Sequence, residues 1–118
     1  MSDSQARERS IGQMAVFLVP SLKIKRRLKD GKTVEEEIHK FLLDTFGGYT
    51  ASAGNIFGYW KDGKGQESYG EHKEYKVGLV DDRRADDLKR YIGRLAKDLD
   101  EECIYFEYGK EALFIYGE

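Results

Sequence analysis

Six basic residues cluster in a short segment that directly precedes a predicted helix. They are Lys23, Lys25, Arg26, Arg27, Lys29 and Lys32. The helix is predicted to begin after Thr33, and unpaired backbone amides at a helix N-terminus bind anions, especially beside cations. The segment therefore predicts a site for a small phosphate-bearing ligand. The alternative is a solvated loop whose positive charge is offset by the acidic residues 35–37.

Aromatic side chains can hold the ring of such a ligand. Tyr59 and Trp60 are neighbours in a predicted strand, and rings of this kind stack on nucleobases. We therefore expect a non-catalytic, homo-oligomeric module that binds or sequesters a small anionic, nucleotide-like molecule. The residues predicted to bind it are Lys25, Arg26, Arg27, Lys32, Thr33, Thr50, Tyr59, Trp60 and His72.

The histidines and acidic residues form no complete catalytic or metal-binding signature. Glu36 and His39 have the spacing of di-iron helix bundles, but the sequence lacks the further helices and ligands that such a site needs. His72 and Glu74 have the His-x-Glu spacing of zinc deaminases, but the Pro-Cys-x-x-Cys motif is absent. We therefore predict no metal, no cofactor and no catalytic residue.

Two other classes of function stay open. One is a small enzyme with its active site at a subunit boundary, where His72, Glu71 or Glu74 acts as acid or base. The other is an interaction module that binds a larger protein through an edge strand or a sheet face.

Composition favours one water-soluble domain in the cytosol. The chain has 118 residues, of which 40% are hydrophobic and 36% charged, so it can bury a core beneath a charged surface. Its longest apolar run, residues 14–20, is too short to span a bilayer. The net charge of -2 argues against nucleic acid as a partner. The lone Cys103 is expected to be a small buried hydrophobe.

The order of predicted elements indicates an α+β fold. Residues 1–13 are polar and are expected to form a flexible tail, followed by a single domain over residues 14–118. Helices are predicted from the Thr33–Glu36 capping box and from Asp81 or Asp82. Strands are predicted at residues 14–20, 50–60, 75–80, 103–108 and 112–116. This βαββαβ order with an extra C-terminal strand predicts a ferredoxin-like two-layer sandwich, with both helices on one face of an antiparallel sheet.

Short glycine and aromatic motifs carry a family resemblance. The chain has Phe46-Gly47-Gly48-Tyr49-Thr50, then Gly58-Tyr59-Trp60, and Asp30-Gly31-Lys32 before the first helix. In these it resembles small bacterial and phage-type domains of unknown function, which share a double-glycine helix end, a Gly-x-Trp strand and a return strand that contains glutamate. The resemblance implies a ferredoxin-like fold and no particular activity.

Large side chains on both faces of the C-terminal strands predict self-association. Residues 104, 106 and 108 are large, and so is Tyr105 between them. Two helices can cover only one face of the sheet, so the other face is expected to pair with a second copy, forming a homodimer with a ligand cleft at the boundary. The alternative is that the N-terminal tail covers that face.

Overall fold

The computed structural model describes residues 6–117, apart from the side chains of Leu79 and Val80. In this part of the chain, six strands and two helices follow one another. They are β1 (Gln13–Pro20), α1 (Val34–Phe46), β2 (Thr50–Ala51), β3 (Ile56–Lys61), β4 (Glu67–Val80), α2 (Asp82–Asp98), β5 (Cys103–Tyr108) and β6 (Glu111–Tyr116).

The strands form one antiparallel sheet in the order β2-β4-β1-β5-β6, and β3 pairs with the first part of β4. The register places Phe17 of β1 opposite Tyr75 of β4 on one side and Phe106 of β5 on the other. All three side chains are buried. Since residues opposite each other in a sheet share a face, this row lies at the centre of the core.

Both helices cover the same face of the sheet. The odd-numbered residues 15, 17 and 19 of β1 are buried, and they form one cluster with Ile38 and Leu42 of α1 and with Leu88 and Ile92 of α2. The opposite face, called the open face below, is only partly shielded. It carries Met14, Val16, Leu18, Glu74, Lys76, Tyr105, Phe114 and Tyr116.

Local sequence signals set the ends of α1 as predicted. The Thr33 side chain accepts a hydrogen bond from the backbone N–H of Glu36, and the Glu36 carboxylate accepts one from the backbone N–H of Thr33. This capping box satisfies two backbone donors that a helix start would otherwise leave unpaired. Gly47 ends the helix with φ 85°, a left-handed conformation that glycine adopts without a steric penalty.

The middle of the chain differs from the prediction. The strand predicted at residues 50–60 is two short strands, and β4 begins at Glu67 rather than at residue 75. The early part of β4 forms a hairpin with β3, called the arm below, which spans residues 56–72. Residues 61–69 are all exposed. A strand that has no face in the core does not alternate between apolar and polar residues. The sequence pattern therefore did not reveal the first part of β4.

The structure is therefore an α+β fold with a six-stranded antiparallel sheet and two helices, an arrangement compatible with a ferredoxin-like fold. In the described part of the chain, no helix has both the length and the apolar character needed to cross a membrane. The described part of the tail is exposed, although the Ile11 side chain approaches Gly78 on β4. Residues 1–5 of the predicted tail lie outside the described residues.

Candidate functional site

An open cleft of about 440 Å³ lies between the start of α1 and strands β2 and β4. Its volume is within the range of small-molecule sites. Six side chains from three parts of the chain line it, and most of them are ionisable. They are Lys32, Glu35, Glu36, His39, Tyr49 and Lys73.

Helix and strand periodicity explain why these side chains meet. Residues 32, 35, 36 and 39 recur at the three- and four-residue spacing that places them on one side of α1. Lys73 is opposite Val19 in the sheet, and Val19 is buried beneath the helices. Lys73 therefore points to the same side of the sheet as α1. Tyr49 follows the Gly47-Gly48 turn at the end of the helix.

Two lysines hold Glu35 at one wall of the cleft. Lys73 Nζ lies 2.7 Å from Glu35 Oε2, and Lys25 forms an ion pair with Oε1. Hydrogen bonds from Lys25 first, then from Lys73, lower the pKa of Glu35 below its ordinary value. The Glu35 carboxylate is thus charged at neutral pH. It lies between the two lysine ammonium groups, so this wall of the cleft carries one negative charge between two positive charges.

A histidine and a tyrosine form the outer wall. His39 Nδ1 and Tyr49 Oη are 2.7 Å apart and share a hydrogen bond, with the two rings in an edge-to-face arrangement. Imidazole and phenol groups in contact can hold or pass a proton. This pair is the part of the cleft best suited to acid–base chemistry.

Tyr75 lies behind the lining residues. Its side chain is 1% exposed, and its ring is 5.2 Å from that of Phe17 and 5.8 Å from that of Tyr49. The Lys73 ammonium lies 5.8 Å from the centre of the Tyr75 ring. Among the described residues, the Tyr75 hydroxyl has no hydrogen-bond partner. A buried hydroxyl without a partner is uncommon and needs an explanation.

The anion site predicted at the start of α1 is not formed. The backbone N–H of Val34 donates to Arg26 O at 2.9 Å, that of Glu35 to Ile24 O at 2.8 Å, and that of Glu36 to the Thr33 hydroxyl. The first three amides of the helix are therefore occupied by the protein itself. Thr33 is a helix cap, and no amide in this turn is free for a phosphate.

The predicted basic ligands also have partners within the protein. Lys25 binds Glu35, and the Arg27 guanidinium donates to Gly31 O at 2.6 Å. Arg26 lies 3.4 Å from Asp98 O and from Asp100 Oδ2. Of the predicted basic residues, Lys32 lines the cleft directly, while Lys25 reaches its wall through Glu35.

The remaining predicted ligands do not meet at one place. Tyr59 and Trp60 are neighbours on β3, so their side chains point to opposite faces of the arm. Trp60 and His72 share the side continuous with the open face, with ring centres 6.2 Å apart. Thr50 is also on the open face, opposite Lys76. None of these three lies on the side of the sheet that holds the cleft.

Sequence reasoning missed most of the cleft. Glu35 and Glu36 were assigned to charge compensation or to the helix cap, and His39 only to an incomplete di-iron spacing. Neither Tyr49 nor Lys73 was assigned a role in binding. The helical spacing of residues 32–39 was the one available signal. The contribution of β4 was hidden because the start of that strand was not predicted.

The chain has a structural likeness to a known protein. No protein-family model matches the chain, and no curated protein matches it. The chain is similar to a solved structure, a phage SAM lyase in complex with S-methyl-5'-thioadenosine. The TM-score is 0.56 at 14% sequence identity, and the alignment covers 97% of this chain and 96% of that chain. At this identity the likeness shows a shared fold.

This comparison contradicts the interpretation of the chain as a non-catalytic sequestering module, because the solved protein with the same fold is an enzyme. The structure also removes the physical basis of that interpretation, since the amides at the start of α1 are occupied. The enzyme alternative agrees better with these findings.

Proposed function

We propose that this chain is a small enzyme that binds an adenosyl sulfonium compound of the S-adenosylmethionine type in the cleft and cleaves it to a 5'-thioadenosine product. The observation that carries the proposal is the match over almost the full length of the chain to a lyase that holds S-methyl-5'-thioadenosine. It is supported by a cleft whose volume of about 440 Å³ suits a nucleoside.

The proposed reaction breaks one carbon–sulfur bond. In S-adenosylmethionine this is the bond between the sulfonium sulfur and the carbon chain of the amino acid. The bonding electrons stay on sulfur, which becomes the neutral thioether of S-methyl-5'-thioadenosine. A lyase step uses no water, so the four-carbon fragment completes its valence by closing a ring through its own carboxylate or by losing a proton from the neighbouring carbon.

The cleft offers complementary charges for such a substrate. Lys32 and Lys73 can attract the substrate carboxylate, and Glu35 and Glu36 can attract its ammonium and sulfonium groups. The positive charge on sulfur disappears as the bond breaks, so the step needs no strong acid. The contacts between cleft and substrate accelerate the step by holding the substrate in a reactive conformation.

His39 and Tyr49 are the proposed acid–base pair. Their hydrogen bond of 2.7 Å lies at the cleft wall, where the pair can accept the proton that the four-carbon fragment loses on the elimination route. The earlier acid–base candidates are placed differently. His72 and Glu74 are on the open face, opposite Pro20 and Leu18 of β1. Glu71 is in the arm, where its carboxylate accepts hydrogen bonds from Asn55 and Tyr69. The proposal therefore replaces them with His39 and Tyr49.

We further propose a ferredoxin-like topology and a homodimer that pairs through the open face. Met14, Phe114 and Tyr116 on that face are each 51–58% exposed, which is costly for large apolar side chains in water. The cleft lies on the other side of the sheet, so each copy carries a complete cleft. A cytosolic location fits a chain with one free cysteine.

Two measurements on the purified protein test the enzymatic proposal. Isothermal titration calorimetry with S-methyl-5'-thioadenosine should show saturable binding. Chromatography with mass spectrometry should show that S-adenosylmethionine is converted to S-methyl-5'-thioadenosine faster than in buffer, and the mass of the four-carbon fragment distinguishes ring closure from elimination. A protein that neither binds the product nor forms it would overturn the proposal.

A further inference from the structure

We infer that the hydroxyl of Tyr75 is a ligand-binding donor, which hydrogen-bonds to an uncharged acceptor on the nucleoside part of the molecule that fills the cleft. The inference rests on the proposed function for the identity of the ligand. It adds a named contact and an orientation to that function.

The position of Tyr75 is the first argument. Three of the residues that line the cleft interact with it, each from a different part of the chain. Tyr49 packs with its ring 5.8 Å away, the Lys73 ammonium lies 5.8 Å from its ring centre, and Glu35 is near enough to affect its ionisation. Tyr75 therefore packs directly behind three of the six side chains that line the cleft.

The unpaired hydroxyl is the second argument. The side chain is 1% exposed, and its oxygen has no partner among the described residues. Leaving a buried donor unpaired lowers the stability of the free protein. The other deeply buried tyrosine, Tyr91, donates to Glu37 Oε2 at 3.3 Å. The exception at Tyr75 is explained if a ligand supplies the missing acceptor.

The surroundings of the hydroxyl determine what it can bind. Burial raises the pKa of Tyr75 well above its ordinary value, and Glu35 and Tyr49 raise it further. The group stays protonated and donates. A second anion beside Glu35 would be repelled, and a charge this deep would lose its hydration. The acceptor is therefore neutral, such as a ribose oxygen or a purine nitrogen.

An orientation of the substrate follows. The nucleoside enters first and lies over Tyr75, whose hydroxyl it reaches once the neighbouring Tyr49 ring moves aside. The charged amino-acid end stays nearer the solvent, beside Lys32 and Glu36. Product and substrate share the nucleoside, so both depend equally on Tyr75, whereas Lys32 acts on the substrate alone.

Tyr75→Phe tests the inference, because it removes one oxygen and keeps the ring. In the absence of ligand, the variant should unfold about 3–6 °C above the wild type, since an unpaired buried group is gone. Its dissociation constant for S-methyl-5'-thioadenosine should rise about 5- to 10-fold, with an equal rise for S-adenosylmethionine. The matched control is Tyr91→Phe, which loses a hydrogen bond outside the cleft. It should unfold at a lower temperature and bind the product as the wild type does.

The outcomes separate this inference from the proposed function. If the wild type binds no S-methyl-5'-thioadenosine, the proposed function fails and the inference fails with it. If the wild type binds and Tyr75→Phe binds equally well, the inference alone fails. A lower unfolding temperature for Tyr75→Phe without ligand would also overturn it, because the hydroxyl would then have a partner in the free protein.

Discussion

The ammonium group of Lys73 in β4 lies 2.7 Å from a carboxylate oxygen of Glu35 in the first turn of α1. Lys25 binds the other oxygen of the same carboxylate. Glu35 therefore joins the loop after β1, the start of α1 and the middle of β4 at one point. This junction fixes the spacing of helix and sheet where the cleft opens, so it contributes to stability and to the shape of the site.

Replacing Glu35 by Gln should lower the free energy of unfolding by about 1 kcal/mol at neutral pH, because two partly exposed ion pairs are lost together. The folded-state pKa of Glu35 is below its ordinary value of 4.5. Its contribution is therefore present above about pH 4.5 and disappears as the pH falls through the lowered folded-state value. Denaturant unfolding of the wild type and of Glu35→Gln at about pH 7 and about pH 3 measures this contribution. If the difference in free energy of unfolding between the two proteins is as large at about pH 3 as at about pH 7, the ion pairs do not account for it.

Gly70→Ala should move the only tryptophan of the chain. A Cβ added at Gly70 would lie 2.9 Å from His72 Cε1 and 3.2 Å from Trp60 Cη2, so both rings must swing away from the arm. Trp60 fluorescence should then shift to longer wavelength as the indole becomes more exposed. Stability should change by less than about 1 kcal/mol, because the outer ends of both side chains can rotate away from the added methyl group.

Gly63→Ala is the matched control, since an added Cβ there meets nothing within 4 Å. Its emission spectrum should equal that of the wild type. If Gly70→Ala leaves the spectrum unchanged while Gly63→Ala shifts it, the packing described for the arm is wrong.

The sequence predicted the elements whose boundaries depend on local interactions. Thr33, Glu36 and Gly47 define the ends of α1 through their own side chains or backbone freedom, and the predicted positions agree with the structure. Asp81, predicted together with Asp82 as a possible start of the second helix, is the N-cap of α2 and accepts a hydrogen bond from the backbone N–H of Arg84. Such signals come from residues a few positions apart, so they can be read from one sequence.

The arm and the cleft could not be predicted in the same way. The residues of β4 from 67 to 71 form a strand by pairing with β3 outside the core, and their polarity resembles that of a loop. The cleft depends on Lys73 meeting Glu35, residues 38 positions apart. That contact follows from strand register and helix packing, neither of which has a local sequence signal. The occupied amides at the start of α1 depend likewise on backbone carbonyls from a preceding loop.

The homodimer predicts a solution mass of twice the 13.6 kDa of one chain in light scattering at micromolar concentration. Phe114→Lys should give a monomer, because Phe114 is 58% exposed on the open face and a charge there would be buried on pairing. Leu43→Lys, at an exposed position on α1, should remain a dimer. A wild type that is monomeric would contradict the proposed interface.

The rate of S-methyl-5'-thioadenosine formation from S-adenosylmethionine, measured for three proteins side by side, tests the central claim most directly. The wild type should form the product well above the rate in buffer. Lys73→Met should be about tenfold slower or more, because a charge-assisted contact in the cleft is lost. Lys110→Met, the same substitution in the exposed turn between β5 and β6, should match the wild type. A wild-type rate equal to that of buffer, or equal rates for Lys73→Met and Lys110→Met, would contradict the assignment of this cleft as the site of cleavage.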